Sequence, residues 1–342
     1  MAEKRTEIAD LGEFGLIERI KNNFSIQNSS SLKGIGDDAA VIDIGTENLL
    51  VSTDMLIEGP HFDLSYVPLQ HLGYKAVAVN VSDIAAMNGR PEQIVISLGL
   101  SNRFSLEAID MLYEGIHAAC KNYKVDLIGG DTSSSGSGLV ISITAIGRAA
   151  KDKTILRSGA KANDIICVTG DLGAAFIGLQ VLEREKEVFK ANPQMQPDLE
   201  KYEYVVGRQL KPEARMDIIH EFAEKNIVPT SMIDVSDGLA SELLHLSKNS
   251  KVGIKLFEEK IPIDTETYNT AIEFKMDPIT AALNGGEDYE LLFTIKPSDF
   301  ELLKNHADIH FIGHTHDNAN QNVMISKQGT VVPIQAQGWK HF

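Results

Sequence analysis

His71-Leu72-Gly73-Tyr74-Lys75-Ala76-Val77-Ala78-Val79-Asn80-Val81-Ser82-Asp83-Ile84-Ala85-Ala86-Met87 is the stretch on which the reading of the fold turns. Leu72, Ala76, Val79 and Met87 fall near one face, so the spacing predicts a helix over 71–87. Two strands precede it, Ala39–Ile44 and Leu49–Thr53, separated by a Gly-containing turn. A short helix over Phe14–Asn22 comes before them. Strand Gln93–Leu100, helix Leu106–Tyr123 and strands Val125–Ile128 and Leu139–Ile146 follow. The first half therefore runs β-β-α-β-α-β-β. Without strict βαβ alternation, this predicts an α+β fold rather than a doubly wound sheet.

A basic, Gly-containing connection over 148–163 marks the expected boundary between an N-terminal domain, residues 1–148, and a C-terminal α+β domain, residues 149–342. The second half resumes with strand Asp164–Thr169 and helix Ala174–Glu183. The polar stretch 191–209 has no strong core pattern until Tyr202–Leu210 and reads as a surface insertion. Helix 212–226 is expected to start at Pro212. Strand Met232–Asp234, helix Leu239–Lys248, strand Gly253–Phe257, a helix ending near Leu283 and strand Tyr289–Ile295 come next. A helix over Pro297–Asn305, strand Ile309–Ile312 and a hairpin over 322–334 turning at Gln328-Gly329 complete the chain.

A chain of 342 residues is long for a single core, in keeping with two domains. Its net charge of −16 argues against a nucleic-acid partner, which needs a basic face. No apolar run approaches the ~20 residues that span a bilayer. No secretory hydrophobic region follows the polar Met1–Asp10. Cys120 and Cys167 stand in apolar surroundings on separate elements and read as buried free thiols. The cytoplasm is the expected compartment.

The chemical signal is a set of aspartates at strand ends and turns. Asp37 and Asp38 follow Gly34-Ile35-Gly36, Asp54 closes a strand after Ser52 and Thr53, and Asp131 follows Gly129-Gly130. Asp234 and Asp237 flank Ser236, and Glu287-Asp288 follow Gly285-Gly286. Taken singly, each is an ordinary turn former or helix cap, Asp237 most plainly, and Asp37 or Asp288 could simply face water. Taken together they are harder to dismiss. Several follow glycines, where bare backbone admits a ligand. Asp83 shares a helix face with Asn80 among small apolar residues, where an unpaired carboxylate is costly. Converging carboxylates cannot all stay ionised without cations. Oxygen donors without a Cys/His cluster suit Mg²⁺ or Ca²⁺, and several Mg²⁺ ions on aspartates suit phosphoryl transfer. No Gly-x-x-x-x-Gly-Lys-Ser/Thr loop and no kinase-type catalytic loop occurs. The residues themselves lead as far as an acidic, Mg²⁺-binding phosphoryl-transfer enzyme.

Gly34–Ala40, Ser52-Thr53-Asp54 with Gly59-Pro60-His61-Phe62, Lys75–Met87, Ile128–Thr132, Arg157-Ser158-Gly159-Ala160 and Val168-Thr169-Gly170 resemble the thiamine-monophosphate kinases. So do Asp234–Leu239, Gly285–Leu291 and Gly338–Phe342, in the same order over nearly the whole chain. The resemblance implies the superfamily of aminoimidazole-ribonucleotide synthetase and selenophosphate synthetase: two α+β domains, with the N-terminal mixed sheets of two subunits paired in a homodimer. It implies the reaction of ATP with thiamine monophosphate to give ADP and thiamine diphosphate. Carried over by motif, Asp38, Ser52, Thr53, Asp54, Asp83, Asp131, Asp234 and Asp237 are implied Mg²⁺ ligands. Tyr113, Gly130, Asp131, Arg148 and Ser236 are implied ATP contacts, and His61, Glu287 and Trp339 implied acceptor contacts.

The chemistry agrees with that implication. A phosphate monoester is largely dianionic at neutral pH and is already a nucleophile, so no general base is assigned and transfer is in-line. Repulsion between two anions is the difficulty, which Mg²⁺ and Arg148 would offset. Trp339 could hold a thiazolium cation by cation–π contact. Selenophosphate synthetase is the nearest rival, but no cysteine precedes Cys120. A hydrogenase-maturation relative would end in cysteine, and this chain ends in Phe342. A non-catalytic nucleotide-binding protein is the alternative of another class.

Overall fold

Strict alternation builds the first sheet: along 139–150 every odd-numbered residue is buried and every even-numbered one half-exposed. The structure, a computed structural model, describes residues 12–23 and 26–337; Trp339, with the rest of 338–342, lies outside them. The first part comprises α1 (Gly12–Asn23), β1 (Ser31–Lys33), β2 (Ala40–Asp43), β3 (Glu47–Ile57), α2 (Leu69–Ala86), β4 (Arg90–Leu100), α3 (Leu106–Tyr123), β5 (Asp126–Ser134) and β6 (Leu139–Ala150). The second comprises β7 (Ile165–Thr169), α4 (Ala174–Ala191), α5 (Glu203–Leu210), α6 (Met216–Lys225), β8 (Ser231–Asp234), α7 (Leu239–Ser250) and β9 (Gly253–Phe257). It continues with α8 (Thr265–Glu273), α9 (Pro278–Asn284), β10 (Leu291–Ile295), α10 (Phe300–Leu303), β11 (Ile309–His316), β12 (Asn322–Ile325) and β13 (Val331–Pro333).

The strands form two sheets, ordered β1-β2-β3-β6-β4-β5 and β13-β12-β9-β11-β7-β10-β8. Both are antiparallel apart from β4–β5 and β9–β12. This is the α+β architecture read from the element order, and the 322–334 hairpin turns at Gly329, whose φ is +82°.

α2 lies between the sheets. Leu72, Val77, Val81 and Ile84 are fully buried, and even Lys75 and Asn80 are enclosed. A helix apolar on all sides must be covered on all sides. β3, β4 and β6 cover one flank, and β8, α5 and α6 from the second half cover others. Asn88, at φ +55°, ends it. Its N–H bonds Ala85 O, and that of Gly89 bonds Ile84 O, which satisfies the terminal carbonyls.

Several boundaries differ from the sequence reading. β5 does not stop at Ile128 but runs to Ser134, so Gly129 and Gly130 are strand residues rather than turn formers. Gly130 backs directly on β4, where a Cβ would stand 1.9 Å from Ile96 O. Arg148 belongs to β6, which extends to Ala150, so the connection begins after it. Pro212 does not start a helix. Ala214 donates its N–H to the Tyr123 hydroxyl and Arg215 turns towards Glu290, delaying α6 to Met216. The helix ending near Leu283 is two helices, broken where Lys275 takes φ +57° and restarted at Asp277, which caps Thr280 N. Residues 297–305 form a 3-10 turn and the four-residue α10.

Buried Glu290 joins three elements of the second half. It accepts from Thr169 Oγ1 at 2.6 Å, Arg208 at 2.9 Å and Arg215 at 2.5 Å. This anchors the chain just after the Gly285–Tyr289 loop.

α2 and α3 touch through glycines. A Cβ on Gly115 would lie 1.8 Å from Gln70 O, and one on Gly73 would lie 2.1 Å from Leu112 O. Gly115→Ala should therefore destabilise the protein by about 1–3 kcal/mol through overpacking, despite alanine's better helix propensity. Urea unfolding measures this, and unchanged or higher stability would contradict the close approach.

Candidate active site

A cleft of about 2130 Å³ opens where α2 and β3 meet the ends of β8 and the loops of the second half. Asp38, Asp54, Asp83, Asp234, Ser236 and Asp237 all line it. β3 presents Ser52 and Asp54 on one face, because alternate residues share a side. α2 brings Asp83 against them, and Ser52 Oγ donates to Asp83 Oδ2. Asn80, on the same helix face, accepts the Asp54 N–H at 3.1 Å. The second half meets α2 here too, for Ser82 Oγ donates to Asp234 Oδ2 at 2.5 Å. Oxygens of Asp38, Asp83 and Asp234 all lie within 4.8 Å of one another.

Burial raises Asp38, Asp54, Asp83 and Asp234. Asp234 is pushed up to about 8 by burial and then by Asp38, against the relief of the Ser82 hydrogen bond. Burial, with Asp237 and Asp38 nearby, raises Asp54 to about 6 despite a hydrogen bond with Asp83. Asp83 is driven well above the carboxylate range by burial, then by Asp54 and Asp234. Asp38 is raised by burial even though Arg157 grips it through Nε at 3.1 Å and a terminal nitrogen at 2.9 Å. Such crowded oxygens fit a hard divalent cation, because a cation removes the repulsion that protonation otherwise relieves. The fit is one of donor chemistry and spacing: carboxylate oxygens aimed at one point, with no sulfur or imidazole among them.

The far end of the cleft is polar and constrained. His61 lines it, its Nδ1 accepting the Ile57 N–H at 3.0 Å. Glu287 lines it too, with φ at +60°, beside Gly286 at +71°. A Cβ at Gly286 would fall 2.4 Å from Ser236 O, and Glu287 N donates to that same oxygen at 2.7 Å. The loop therefore crosses over Ser236 with no space to spare. Asp288 does not face water. It is buried under α4, accepts from Gly173 N at 2.7 Å and Ala175 N at 3.3 Å, and burial raises it to about 7. Asp237 is not the cap of α7, which begins at Gly238 without a side-chain bond.

The structure gathers Asp38, Ser52, Asp54, Asp83, Asp234, Ser236, Asp237, His61 and Glu287 around one cleft; Thr53 borders it, but its hydroxyl meets Thr144 Oγ1 at 3.0 Å on the opposite face of β3. Tyr113, Gly130, Asp131 and Arg148 do not line it. Met55 faces Ser142, Ser142 faces Ser97, and Ser97 faces Asp131. Three strand spacings, about 14 Å, thus separate Asp131 from β3, on the face opposite Asp54. Arg148 pairs with Glu92 at 2.9 Å and Glu47 at 3.7 Å. Arg157, given no role from sequence, is the arginine that reaches the acids. Glu242 was also missed. It is buried, its Oε1 accepts the Asp237 N–H at 3.0 Å, and burial and Asp237 raise it well above the usual range. Its place at the fifth residue after Asp237, on a helix, gave no sign distinct from a solvated face.

Residues 36–149 match the family model described as AIR synthase related protein, N-terminal domain. The chain is 36% identical to the thiamine-monophosphate kinase of Bacillus subtilis (strain 168), covering 97% of this chain and 100% of the relative. It is 34% identical to that of Aquifex aeolicus (strain VF5), covering 98% and 99%. A solved structure of AaThiL complexed with AMPPCP and TMP superimposes with a TM-score of 0.84, at 32% identity over 99% of each chain.

The raised acids set a pH dependence. A carboxyl with a higher pKa folded than unfolded favours the folded state while protonated, and that stability is lost as pH rises through the folded value. With Asp234 near 8 and Asp54 near 6, both up from 3.8, the metal-free protein should lose thermal stability from about pH 4 to about pH 8. Mg²⁺ should flatten the slope, and Asp234→Asn should flatten it in chelator. Melting curves with and without Mg²⁺ test this; superimposable slopes would contradict it.

Proposed function

The chain belongs to the thiamine-monophosphate kinase family, and on that premise we propose that it transfers the γ-phosphoryl group of ATP to thiamine monophosphate, giving ADP and thiamine diphosphate. One observation carries the reading: buried carboxylates converge in a cleft that His61 and Glu287 also line. Asp38, Asp83 and Asp234, with Asp54 and Asp237, would hold Mg²⁺, which when bound would neutralise phosphate oxygens and orient them. Arg157 reaches the same point and adds a fixed positive charge, the role the sequence reading gave to Arg148. Ser236 and the backbone crossing it shape the wall between the two ends. His61, Glu287 and Trp339 are read as acceptor contacts. None of these residues need act as a base, because a phosphate dianion attacks without losing a proton.

Tyr113, Gly130, Asp131 and Arg148 fit this reading if a second copy of the chain brings them. All nine residues of β5 are exposed at a sheet edge, among them Ile128 at 59%. The face of the first sheet away from α2 carries Leu49, Val95, Val140 and Ile146. An open edge and an apolar face are what pairing of two copies would cover. A homodimer would then complete each cleft with the partner's Asp131. No helix among the described residues is long and apolar enough to cross a membrane. Free Cys120 and Cys167 support a reducing, cytoplasmic setting.

Thiamine monophosphate should be turned over in the presence of Mg²⁺, and thiamine should be a very poor acceptor, since an alcohol needs a base positioned on its proton and no residue is assigned that role. Chromatography of the mono- and diphosphate products decides it, and comparable turnover of both acceptors would refute the assignment.

Asp54→Asn and Asp131→Asn should each be inactive alone. Co-expressed, they should regain about a quarter of wild-type activity, because half the dimers hold one site with both acids intact. A monomer in sedimentation, or no recovery, would refute a shared site.

A further inference from the structure

Lys75 sits in the middle of an apolar helix with only 3% of its surface exposed, and no step derived above uses it. A buried ammonium is costly unless it is paired. Its Nζ lies 3.1 Å from Glu287 Oε1 and donates to the Gln209 carbonyl at 3.1 Å. The other oxygen of Glu287, Oε2, accepts from Gln209 Nε2 at 2.7 Å. Two elements, α2 and α5, therefore hold Glu287 by both carboxylate oxygens. A carboxylate offers about four lone-pair sites, and this clamp engages one on each oxygen. The remaining sites belong to a side chain that lines the cleft.

The clamp is rigidly related to the acids. Lys75, Val79 and Asp83 recur at four-residue intervals along α2, and all three line the cleft. Eight residues of helical rise place Lys75 about 12 Å from Asp83. One helix thus carries a carboxylate at the phosphate end and a cation at the other. Thiamine monophosphate presents a phosphate at one end, for a cation held by the acids, and an aminopyrimidine ring bearing N–H donors, for the Glu287 carboxylate, at the other.

We infer that Lys75, assisted by Gln209, is the positioning residue for the acceptor: it fixes Glu287 so that its unused lone pairs receive the N–H donors of the aminopyrimidine. The inference rests on the acceptor-side reading of Glu287 above. Lys75 itself touches no reacting atom. Its contribution is orientation, so its loss should appear in acceptor binding and spare ATP.

Steady-state kinetics of Lys75→Met, Glu287→Gln and the double variant test this, with both substrates varied. Each single variant should raise KM for thiamine monophosphate about tenfold or more while KM for ATP stays within about twofold, as expected when a charged hydrogen-bond pair is broken. The double variant should be no worse than the poorer single one, because both break the same contact. Glu287→Gln keeps the shape of the side chain and serves if Lys75→Met does not fold. A lowered melting temperature with an unchanged ratio of the two KM values would make the pair a structural strut and overturn the inference, leaving the kinase reading intact. Additive losses in the double variant would overturn it too. A wild-type protein inert towards thiamine monophosphate would overturn the kinase reading and this inference with it.

Discussion

Mutual repulsion among buried carboxylates is the constraint around which this molecule is arranged. Asp38, Asp83 and Asp234 come from a loop, a helix and a strand far apart in the chain, yet their oxygens approach within 4.8 Å. No folding force favours such a meeting. It is held in place by Ser52, Ser82 and Arg157, each of which offsets part of the charge. The remainder is left as raised proton affinity, which is also affinity for a cation. Stability and ligand binding are therefore opposed at this point, as is common where a site is built before its ligand arrives.

The opposite end of the cleft uses a different device. There the backbone is forced into left-handed conformations at Gly286, Glu287 and Tyr289. The cost is absorbed by what lies on either side: Asp288 under α4, and Glu290 between Arg208 and Arg215. Neither acid faces the cleft. Their work is to make the loop's path the only one available, so that Glu287 stands where it does.

Much of this was legible in the chain. Asp38 and Asp234 stand at turns and strand ends, where a single aspartate is ordinary, so the signal lay in the set and in Asp83, which interrupts an apolar helix where an unpaired carboxylate is costly. What could not be read was the partner of each acid. Arg157 lies in a connection, 119 positions from Asp38, and nothing local links them. Glu242 and Lys75 occupy helices, where charge is ordinary until burial is known. Asp288 read as solvated because the helix that covers it, α4, begins more than a hundred residues earlier. Strand lengths failed where glycines intervened: Gly129-Gly130 looked like a stop and proved to be the middle of β5, close against β4. Asp131 and Arg148 are a separate case, since the chain leaves both on the sheet face turned away from α2, while Tyr113 stands on α3, and none of the three lines the cleft.

The enclosure of α2 has a consequence for how the protein is made. This helix is finished by residue 86, but part of its cover, α5, α6 and β8, is not synthesised until residues 203–234. During translation a largely apolar helix therefore waits, half-clad, for more than a hundred further residues to emerge. The second sheet compounds the delay, because β7 must pair with β10 and β11, the latter over 140 positions away. Such distant pairings make for slow folding. Until the second half arrives, the nascent chain exposes apolar surface that the finished fold hides, the interval in which aggregation competes with folding.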